Sequence, residues 1–399
     1  MISVAEARDR VLAAVGIVPA EMVGVAEAAG RVLAEDLAAR VTQPPAAVSA
    51  MDGWAVRGAD LDSLPATLAR IGEAPAGRPF AGTVGPGQAV RIFTGAVLPD
   101  GTDTVVLQED CEDRGASVVV REGTPGRWVR PAGLDFRAGE VGLRAGRLLT
   151  VRDVALAAAM NVPWLMVRRR PRVAILATGD EVVMPGDPLG PGAIVSSNGL
   201  ALAALVARLG GTPVNLGIAG DSREALEERV RGAAGCDLLV TTGGASVGEH
   251  DLVRAALEPK GLALDFWKIA MRPGKPLMFG SLRGTPLLGL PGNPVSSLVC
   301  ALLFLKPALR VMQGLAPDDG PQAFARLGAA LPENDRRQDY LRATLAPGGD
   351  GLPVAAAFAK QDSSMLSPLA RADCLLVRPP HAPAAAAGET VPIIPLDGV

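Results

Sequence analysis

Apolar residues between positions 172 and 313 follow two spacings that predict different elements. Short apolar runs, such as Arg172 to Ala177 and Cys236 to Val240, predict buried strands. Leucines at helical spacing between these runs, from Leu202 to Leu209, predict helices. Alternation of strands with helices predicts an open, mostly parallel α/β sheet with helices on both faces.

The rest of the chain lacks this alternation. Residues 1–45 carry two apolar stripes at helical spacing, one after the capping-box pair Ser3 and Glu6 and one over Ala26 to Ala39. Short β-prone runs between glycines and prolines predict small β domains on either side of the α/β region. The predicted α/β multidomain chain therefore has an N-terminal linker and helical domain (1–45 and 141–171), a small β domain (46–140), an α/β domain (172–315) and a C-terminal β domain (316–399).

Composition narrows the function classes. The chain has 399 residues, 49% of them hydrophobic and 20% charged, as in a well-packed globular enzyme. A net charge of −3 argues against nucleic acid as a partner. The N-terminus has no basic region typical of a signal peptide, and no apolar run reaches the roughly 18 residues of a membrane span. We therefore expect a cytoplasmic protein with no membrane partner.

Cysteine and histidine usage restricts the metal chemistry. Four scattered cysteines fit a reducing compartment, and only two histidines occur. A zinc site built from His and Cys is therefore not expected. A bound metal would need carboxylate ligands, as Mg²⁺ does.

Three glycine-rich turns follow predicted strands and should meet at one edge of the sheet. In open α/β sheets ligands bind at the carboxyl ends of the strands, and glycines let the backbone approach an anion closely. Acids near such turns suit Mg²⁺ bridging phosphate oxygens. The turns are Thr178-Gly179-Asp180-Glu181, Thr242-Gly243-Gly244-Ala245-Ser246 and Pro291-Gly292-Asn293-Pro294.

Each turn has an ordinary interpretation when it is taken alone. A Gly-Gly pair after a strand is commonly a tight turn, and Asp221 and Asp251 are also suitable helix-start acids. Together the turns and acids predict a site for a phosphate-bearing ligand.

Positive charge is predicted beside the same edge. If the segment were a strand, Lys268, Ala270 and Arg272 would share one face, and the turn Pro273-Gly274 would present Lys275. An ordinary basic hairpin is the alternative interpretation.

Six segments, in order along the chain, resemble the molybdopterin molybdenumtransferases, the family of bacterial MoeA proteins and of the gephyrin E domain. The TGGxSxG motif alone would indicate only the wider molybdopterin-binding fold, but the resemblance runs in order from near residue 1 to near residue 380. The segments are SAMDGWA (49–55), TGAVLPDGTDTVV (94–106), ATGDEVV (177–183), TTGGASVGEHD (241–251), WKIAMRPGKP (267–276) and LPGNPVSS (290–297).

The resemblance implies an activity and partners. Family members insert molybdate into adenylylated molybdopterin with Mg²⁺ present, giving molybdenum cofactor and AMP. They form homodimers, and contact with the adenylyltransferase of the same pathway is expected. The alternatives are the preceding adenylylation step and a non-catalytic, gephyrin-like scaffold; tungstate is the alternative oxyanion.

The resemblance also implies site residues, with Mg²⁺ predicted on Glu181, Asp221 and Asp251. One departure from the family pattern is Arg272, where lysine is common; another is Trp54, where a smaller aromatic is usual. The predicted catalytic residues are Asp52, Glu181, Asp221, Asp251, Lys268, Arg272 and Lys275. The predicted substrate-binding residues are Thr94, Asp135, Thr178, Gly179, Gly243, Gly244, Ser246, Pro291, Gly292, Asn293, Pro294, Arg342 and Ser363.

Overall fold

The structure is a computed structural model that describes residues 1–244, 252–317 and 323–397. A π-helical segment, Ala301–Leu305, joins α6 to α7. The helices of the described ranges are α1 (Val4–Ala13), α2 (Val151–Ala159), α3 (Asn198–Arg208), α4 (Arg223–Val230), α5 (Leu252–Leu257), α6 (Pro294–Cys300), α7 (Lys306–Met312) and α8 (Leu366–Ala370).

The strands are mostly short. Those before residue 170 are β1 (Ala20–Gly24), β2 (Leu37–Ala38), β3 (Val48–Ser49), β4 (Gly53–Val56), β5 (Ala66–Ala74), β6 (Gln88–Ile92), β7 (Thr104–Leu107), β8 (Cys111–Asp113), β9 (Ser117–Val120), β10 (Val129–Arg130), β11 (Val141–Leu143) and β12 (Trp164–Arg168). Those after residue 170 are β13 (Arg172–Thr178), β14 (Val182–Val183), β15 (Ile194–Val195), β16 (Thr212–Ala219), β17 (Leu238–Thr242), β18 (Leu262–Trp267), β19 (Met271–Arg272), β20 (Met278–Leu282), β21 (Thr285–Leu290), β22 (Ala323–Leu327), β23 (Gln338–Ala346), β24 (Val354–Ala357), β25 (Cys374–Arg378) and β26 (Thr390–Pro395).

Contacts divide the chain into two compact units. The first comprises Met1–Glu21, Gly30–Val32 and Arg168–Val399, and the second comprises Met22–Ala29 and Leu33–Val167. The four predicted domain boundaries remain a prediction.

The first unit contains the α/β sheet, with strand order β16-β13-β17-β21-β20-β18. Neighbours from β16 to β21 are parallel, and β20 and β18 are antiparallel additions. The prediction of an open, mostly parallel sheet is thus confirmed. Strands β13 and β17 are buried almost throughout, because helices cover both faces of a parallel sheet.

Helix α1 packs into the core of the α/β region although it lies far from it in sequence. Its buried residues Val4, Ala7 and Val11 belong to the same apolar cluster as α3, α6 and α7. The helix begins as predicted, since the Ser3 hydroxyl accepts a hydrogen bond from the Glu6 amide at 3.1 Å.

The helical segment Pro294–Met312 is the central core helix of this unit. Among the described residues it is the one helix whose length and hydropathy would suit a membrane span, but 78% of that stretch is buried inside the protein. Its π segment precedes Pro307, which has no amide hydrogen to continue the regular helical pattern.

A second six-stranded sheet forms the C-terminal part of the first unit, in the order β19-β23-β24-β22-β26-β25. This confirms the predicted C-terminal β domain. Strand β19 arises between β18 and β20 of the α/β sheet but pairs in parallel with β23, which places Arg272 beside Asp339. The segment that carries the predicted cations is therefore anchored in both sheets.

The second unit is built on the sheet β7-β4-β6-β5-β9-β8, with Trp54 buried in its core. The helix predicted over Ala26 to Ala39 is wrong. The structure has a 3₁₀ turn at Val25–Glu27, and Gly30 has a φ of 75° that no right-handed helix accommodates. Leu33 forms a β-bridge with Val167 instead, so tertiary pairing overrides the local helical spacing.

Candidate active site

The carboxyl ends of β13, β17 and β21 open into a cleft of about 1240 Å³ in the first unit. Two further walls come from residues 271–276, beside β19, and from residues 361–364 of the C-terminal domain. The structure therefore brings the three predicted glycine turns together at one edge of the sheet, as in other open α/β folds.

The floor of the cleft fits only glycine at two positions. Gly243 and Gly244 have φ values of 93° and 62°. A Cβ on Gly243 would lie 2.6 Å from the Thr178 carbonyl oxygen, and one on Gly244 would lie 2.9 Å from Thr178 Oγ1. The Thr178 hydroxyl is buried and hydrogen bonds to none of the described residues, which is uncommon for a buried polar group.

Asn198, at the start of α3, joins two of the turns and was not predicted. Its Nδ2 donates to Thr242 Oγ1 and to the Gly292 carbonyl, both at 2.8 Å. An amide at a helix start after a strand was the only sequence signal, and that is also an ordinary helix cap.

Two predicted acids, Glu181 and Asp221, line one rim of the cleft. The Glu181 carboxylate is exposed and makes no hydrogen bond or ion pair with the described part of the chain. Asp221 and Asp180 hold each other, because the Asp221 amide donates to Asp180 Oδ1 at 2.8 Å and the Asp180 amide donates to Asp221 Oδ2 at 3.4 Å. Ser222 caps α4, so a capping role for Asp221 is wrong.

Part of the predicted metal site cannot be placed. Asp251 and Ser246 lie outside the described residues. Within the described ranges, no three His, Cys, Asp or Glu side chains gather where they could hold one ion.

Cations also line the cleft, among them Arg223, which lies two residues after Asp221. Arg272 makes an ion pair with Asp339, and Lys275 has no partner among the described residues. Arg337, which was not predicted, also lines the cleft. Its guanidinium donates to Asp335 at 2.7 Å, and this hydrogen bond holds the pKa of Asp335 well below its usual range.

Lys268 does not line the cleft. The single strand predicted through residues 268–272 is wrong, because β18 ends at Trp267 and Lys268 has a left-handed φ of 75°. The ammonium group of Lys268 lies 4.2 Å from the centre of the Trp267 ring.

Arg342 lies behind the cleft wall and not on it. Its side chain is buried, and the residue is 1% exposed. The guanidinium donates to the carbonyls of Met365, Asp362 and Lys360 at 2.8, 3.0 and 3.3 Å. Burial lowers the pKa of Arg342. In this position Arg342 holds the loop that carries Ser363.

Ser363 occupies the start of α6. Its carbonyl accepts from the Val295 amide at 3.0 Å, and its hydroxyl accepts from Asn293 Nδ2 at 2.9 Å. Pro294 has no amide hydrogen. The Val295 amide is therefore already bonded within the protein, and Ser363 becomes part of the third turn.

The other predicted residues belong to the second unit. Asp52 accepts hydrogen bonds from the Thr94 hydroxyl and amide, both at 2.7 Å, and these bonds lower the pKa of the Asp52 carboxyl. Asp135 lies in an exposed turn, where its amide donates to the Gln43 carbonyl at 3.0 Å.

Three family models match successive parts of the chain. The MoeA N-terminal region (domain I and II) matches residues 2–161, the probable molybdopterin binding domain matches 174–311, and the MoeA C-terminal region (domain IV) matches 325–396. Together these matches follow the chain from end to end.

Whole proteins give the same result. A molybdopterin molybdenumtransferase of Nostoc sp. is 40% identical over 82% of this chain and 77% of its own length, and one of Haemophilus influenzae is 34% identical over 94% of each. The crystal structure of a molybdopterin biosynthesis MoeA protein from Pyrococcus horikoshii superposes with a TM-score of 0.86, at 31% identity and 98% coverage of both chains. The chain therefore belongs to the MoeA family of molybdopterin molybdenumtransferases, the transferases that insert molybdenum during synthesis of the molybdenum cofactor.

Proposed function

We propose that the chain inserts molybdate into adenylylated molybdopterin and releases AMP, and that the cleft at the carboxyl edge of the α/β sheet is the site of this reaction. One observation carries the assignment of the site. The Thr178 hydroxyl, which bonds to none of the described residues, and the close-packed Gly243 and Gly244 lie in a cleft that the carboxylates of Glu181 and Asp221 and the cations Arg272 and Lys275 also line.

The glycine turns would receive the phosphate groups of the pterin substrate. Backbone at Gly243 and Gly244 can approach a ligand closely because no Cβ intervenes. The Thr178 hydroxyl would then gain the hydrogen bond that it lacks. Asn198 keeps this surface in one arrangement by joining Thr242 to Gly292.

The cationic wall would receive molybdate. Lys275 supplies a charge without a partner among the described residues, whereas Arg272 and Arg337 present guanidinium donors that carboxylates hold in place. Ser363 adds a hydroxyl on the same side of the cleft. Bringing the two anionic substrates together against mutual repulsion is the main task of these groups.

The acidic rim fits magnesium. Glu181 has a free carboxylate among the described residues, and Asp221 lies on the same rim. Mg²⁺ is usually bound by one or two carboxylates, with substrate phosphates and water completing its shell, so two acids suffice. When bound, the ion would neutralise charge on the pyrophosphate of the substrate. The chain's own role is to hold these carboxylates, and the Asp180 amide does so for Asp221 by donating to its Oδ2.

We further propose a cytoplasmic homodimer that contacts the adenylyltransferase of the pathway. The support is the family resemblance, since family members are dimers whose cleft is completed across subunits. Asp52 and Thr94, whose side chains are bonded to each other in the second unit, would act in that assembly.

The test is to mix the purified protein with adenylylated molybdopterin, Mg²⁺ and molybdate and to measure AMP. AMP release that requires molybdate is expected. A parallel reaction with tungstate measures the choice of oxyanion. A protein that releases no AMP under these conditions, although it binds the pterin, would contradict the proposed reaction.

A further inference from the structure

The Arg272–Asp339 ion pair at the cleft wall joins groups with very different surroundings. The Arg272 side chain is 49% exposed and lines the cleft, whereas the Asp339 side chain is 5% exposed. One carboxylate oxygen of Asp339 accepts from the Arg272 guanidinium. The other, Oδ1, is buried and bonds to none of the described residues. A buried carboxylate oxygen without a partner is unfavourable, so this arrangement requires an explanation.

The backbone fixes both partners. Strand β19 pairs in parallel with β23, and Arg272 is directly opposite Asp339. The residues that precede them are also tied, since the Gln338 amide donates to the Ala270 carbonyl at 2.9 Å. Because Asp339 is buried, its carboxylate has few alternative positions. The guanidinium that it binds is thereby restrained more than an arginine paired at an open surface would be.

A second carboxylate and a second arginine extend the network. Asp335 lies 3.7 Å from Arg272, and Asp335 also binds Arg337 at 2.7 Å. Two acids therefore stand behind two arginines of the same wall. If the wall attracted an anion only by its total positive charge, these two carboxylates would weaken that attraction.

We propose that Asp339 is a positioning residue that fixes the planar donors of Arg272, so that the cleft selects its tetrahedral oxyanion by donor geometry and not by net charge. The inference rests on the proposed function, in which this wall receives molybdate. A guanidinium presents N–H donors in a fixed plane, unlike the point charge of the lysine that is common at this position in the family. These donors improve oxyanion binding only when the plane of the guanidinium is fixed.

Charge counting and positioning predict opposite results for Asp339→Asn. Removing a negative charge near the wall should tighten oxyanion binding if charge alone matters. If Asp339 positions Arg272, the same variant should weaken molybdate binding although the wall gains net positive charge. Arg272→Lys keeps the positive charge but removes the planar N–H donors of the guanidinium, so it should weaken molybdate binding in the same way.

The experiment is a calorimetric titration of the purified full chain with molybdate alone, and separately with sulfate. Wild type, Asp339→Asn, Arg272→Lys and the double variant are compared. We expect each single variant to weaken molybdate binding roughly tenfold, which is the order of one lost charge-assisted contact. Sulfate has the same charge and shape as molybdate but shorter bonds to oxygen, so donors held at the spacing of molybdate fit it less well. Its binding should therefore fall less, and the ratio of molybdate affinity to sulfate affinity should fall. The double variant should bind molybdate no more weakly than the single variant of lower affinity, because both substitutions remove the same positioned guanidinium.

Asp350→Asn is the matched control. Asp350 pairs with Arg326 at 2.7 Å on the surface of the same C-terminal domain, so the substitution removes the same charge away from the cleft. It should leave both affinities unchanged. Thermal unfolding of each variant identifies loss of fold. If Asp339→Asn does not fold, the ratio of molybdate affinity to sulfate affinity in Arg272→Lys tests the inference instead.

Several outcomes would overturn the inference: a wild-type protein that binds no molybdate, Asp339→Asn that binds it as tightly as wild type or tighter, additive effects in the double variant, or an unchanged ratio in Arg272→Lys. The AMP assay is independent of these titrations. Altered oxyanion selectivity without AMP release in the wild type would reject the proposed reaction and retain the role of Asp339.

Discussion

At the scale of single residues, a substitution of Glu181 should distinguish the binding of the pterin from the release of AMP. Its carboxylate lines the cleft and has no partner among the described residues, so under the proposed function it is placed to meet a ligand or an ion. Gly179, two residues before it, has a φ of 133°, a conformation that favours glycine.

We predict that Glu181→Gln abolishes AMP release and leaves pterin binding within about twofold of wild type, because a neutral amide is a poor magnesium ligand. Pterin binding is followed by fluorescence and AMP by chromatography. Glu224→Gln makes the same change on an exposed acid of α4 that does not line the cleft, and it should remain active. A fully active Glu181→Gln protein would remove Glu181 from the site.

Lys275 provides the second prediction at this scale. Lys275→Ala should raise the molybdate concentration needed for half-maximal AMP release by about ten- to a hundredfold, since a charge-assisted contact is worth about 1.5–3 kcal/mol. Lys260→Ala is the control, because Lys260 pairs with Glu227 at 2.9 Å away from the cleft. A change below about twofold would show that Lys275 does not bind the oxyanion.

At the scale of elements, the cleft depends on loops that buried groups hold from behind. The loop at residues 360–365 has three carbonyls that accept from Arg342, and Ser363 then reaches the start of α6. One arginine therefore ties the C-terminal domain to the third glycine turn.

We predict that Arg342→Met destabilises the protein by about 1–3 kcal/mol and raises the molybdate requirement, because the loop carbonyls lose their donors. Hydrogen exchange should increase in residues 360–365 first. Arg342→Lys should rescue the variant only in part, because an ammonium cannot reach three carbonyls in the plane of a guanidinium. Arg371→Met, an exposed arginine near the same loop, is the control. Unchanged exchange in the loop would contradict this role.

At the scale of the whole molecule, α1 shows that the α/β core is not contiguous in sequence. Val11 is buried in the cluster that includes Leu309 and Met312 of α7. We predict that Val11→Ala lowers the free energy of unfolding by about 1–3 kcal/mol, the usual cost of a cavity in a core. Val151→Ala makes the same change at a helical position that is 78% exposed and should alter stability by less than about 0.5 kcal/mol. Equal effects in the two variants would place α1 outside the core.

The proposed dimer is tested on the intact protein. Light scattering at micromolar concentration should give twice the chain mass of 40.8 kDa. Closed two-fold assemblies are the commonest oligomers, and the family resemblance predicts one here. A monomer with full activity would contradict the proposal.

The sequence alone determined the local features of this protein. The apolar runs of β13 and β17 predict buried strands from local sequence alone. The glycines that follow them likewise predict turns with positive φ. Six ordered motifs then identified the family, and the Ser3 cap of α1 followed from its spacing. The strands, the turns and the cap depend on residues within a few positions of one another, whereas the family follows from the order of motifs along the chain.

Only the tertiary structure decided which distant residues share the cleft. Arg272 and Asp339 are 67 positions apart and meet because β19, which lies between two strands of the α/β sheet along the chain, pairs with β23 of the C-terminal sheet. Arg337 and Asn198 lay in segments with no distinguishing pattern. Residue type alone also does not show whether an arginine such as Arg342 contacts a ligand or, as here, the carbonyls of a loop. Local periodicity fixes the conformation of a segment, but burial and pairing between segments fix what its side chains contact, and those contacts set the chemistry of the site.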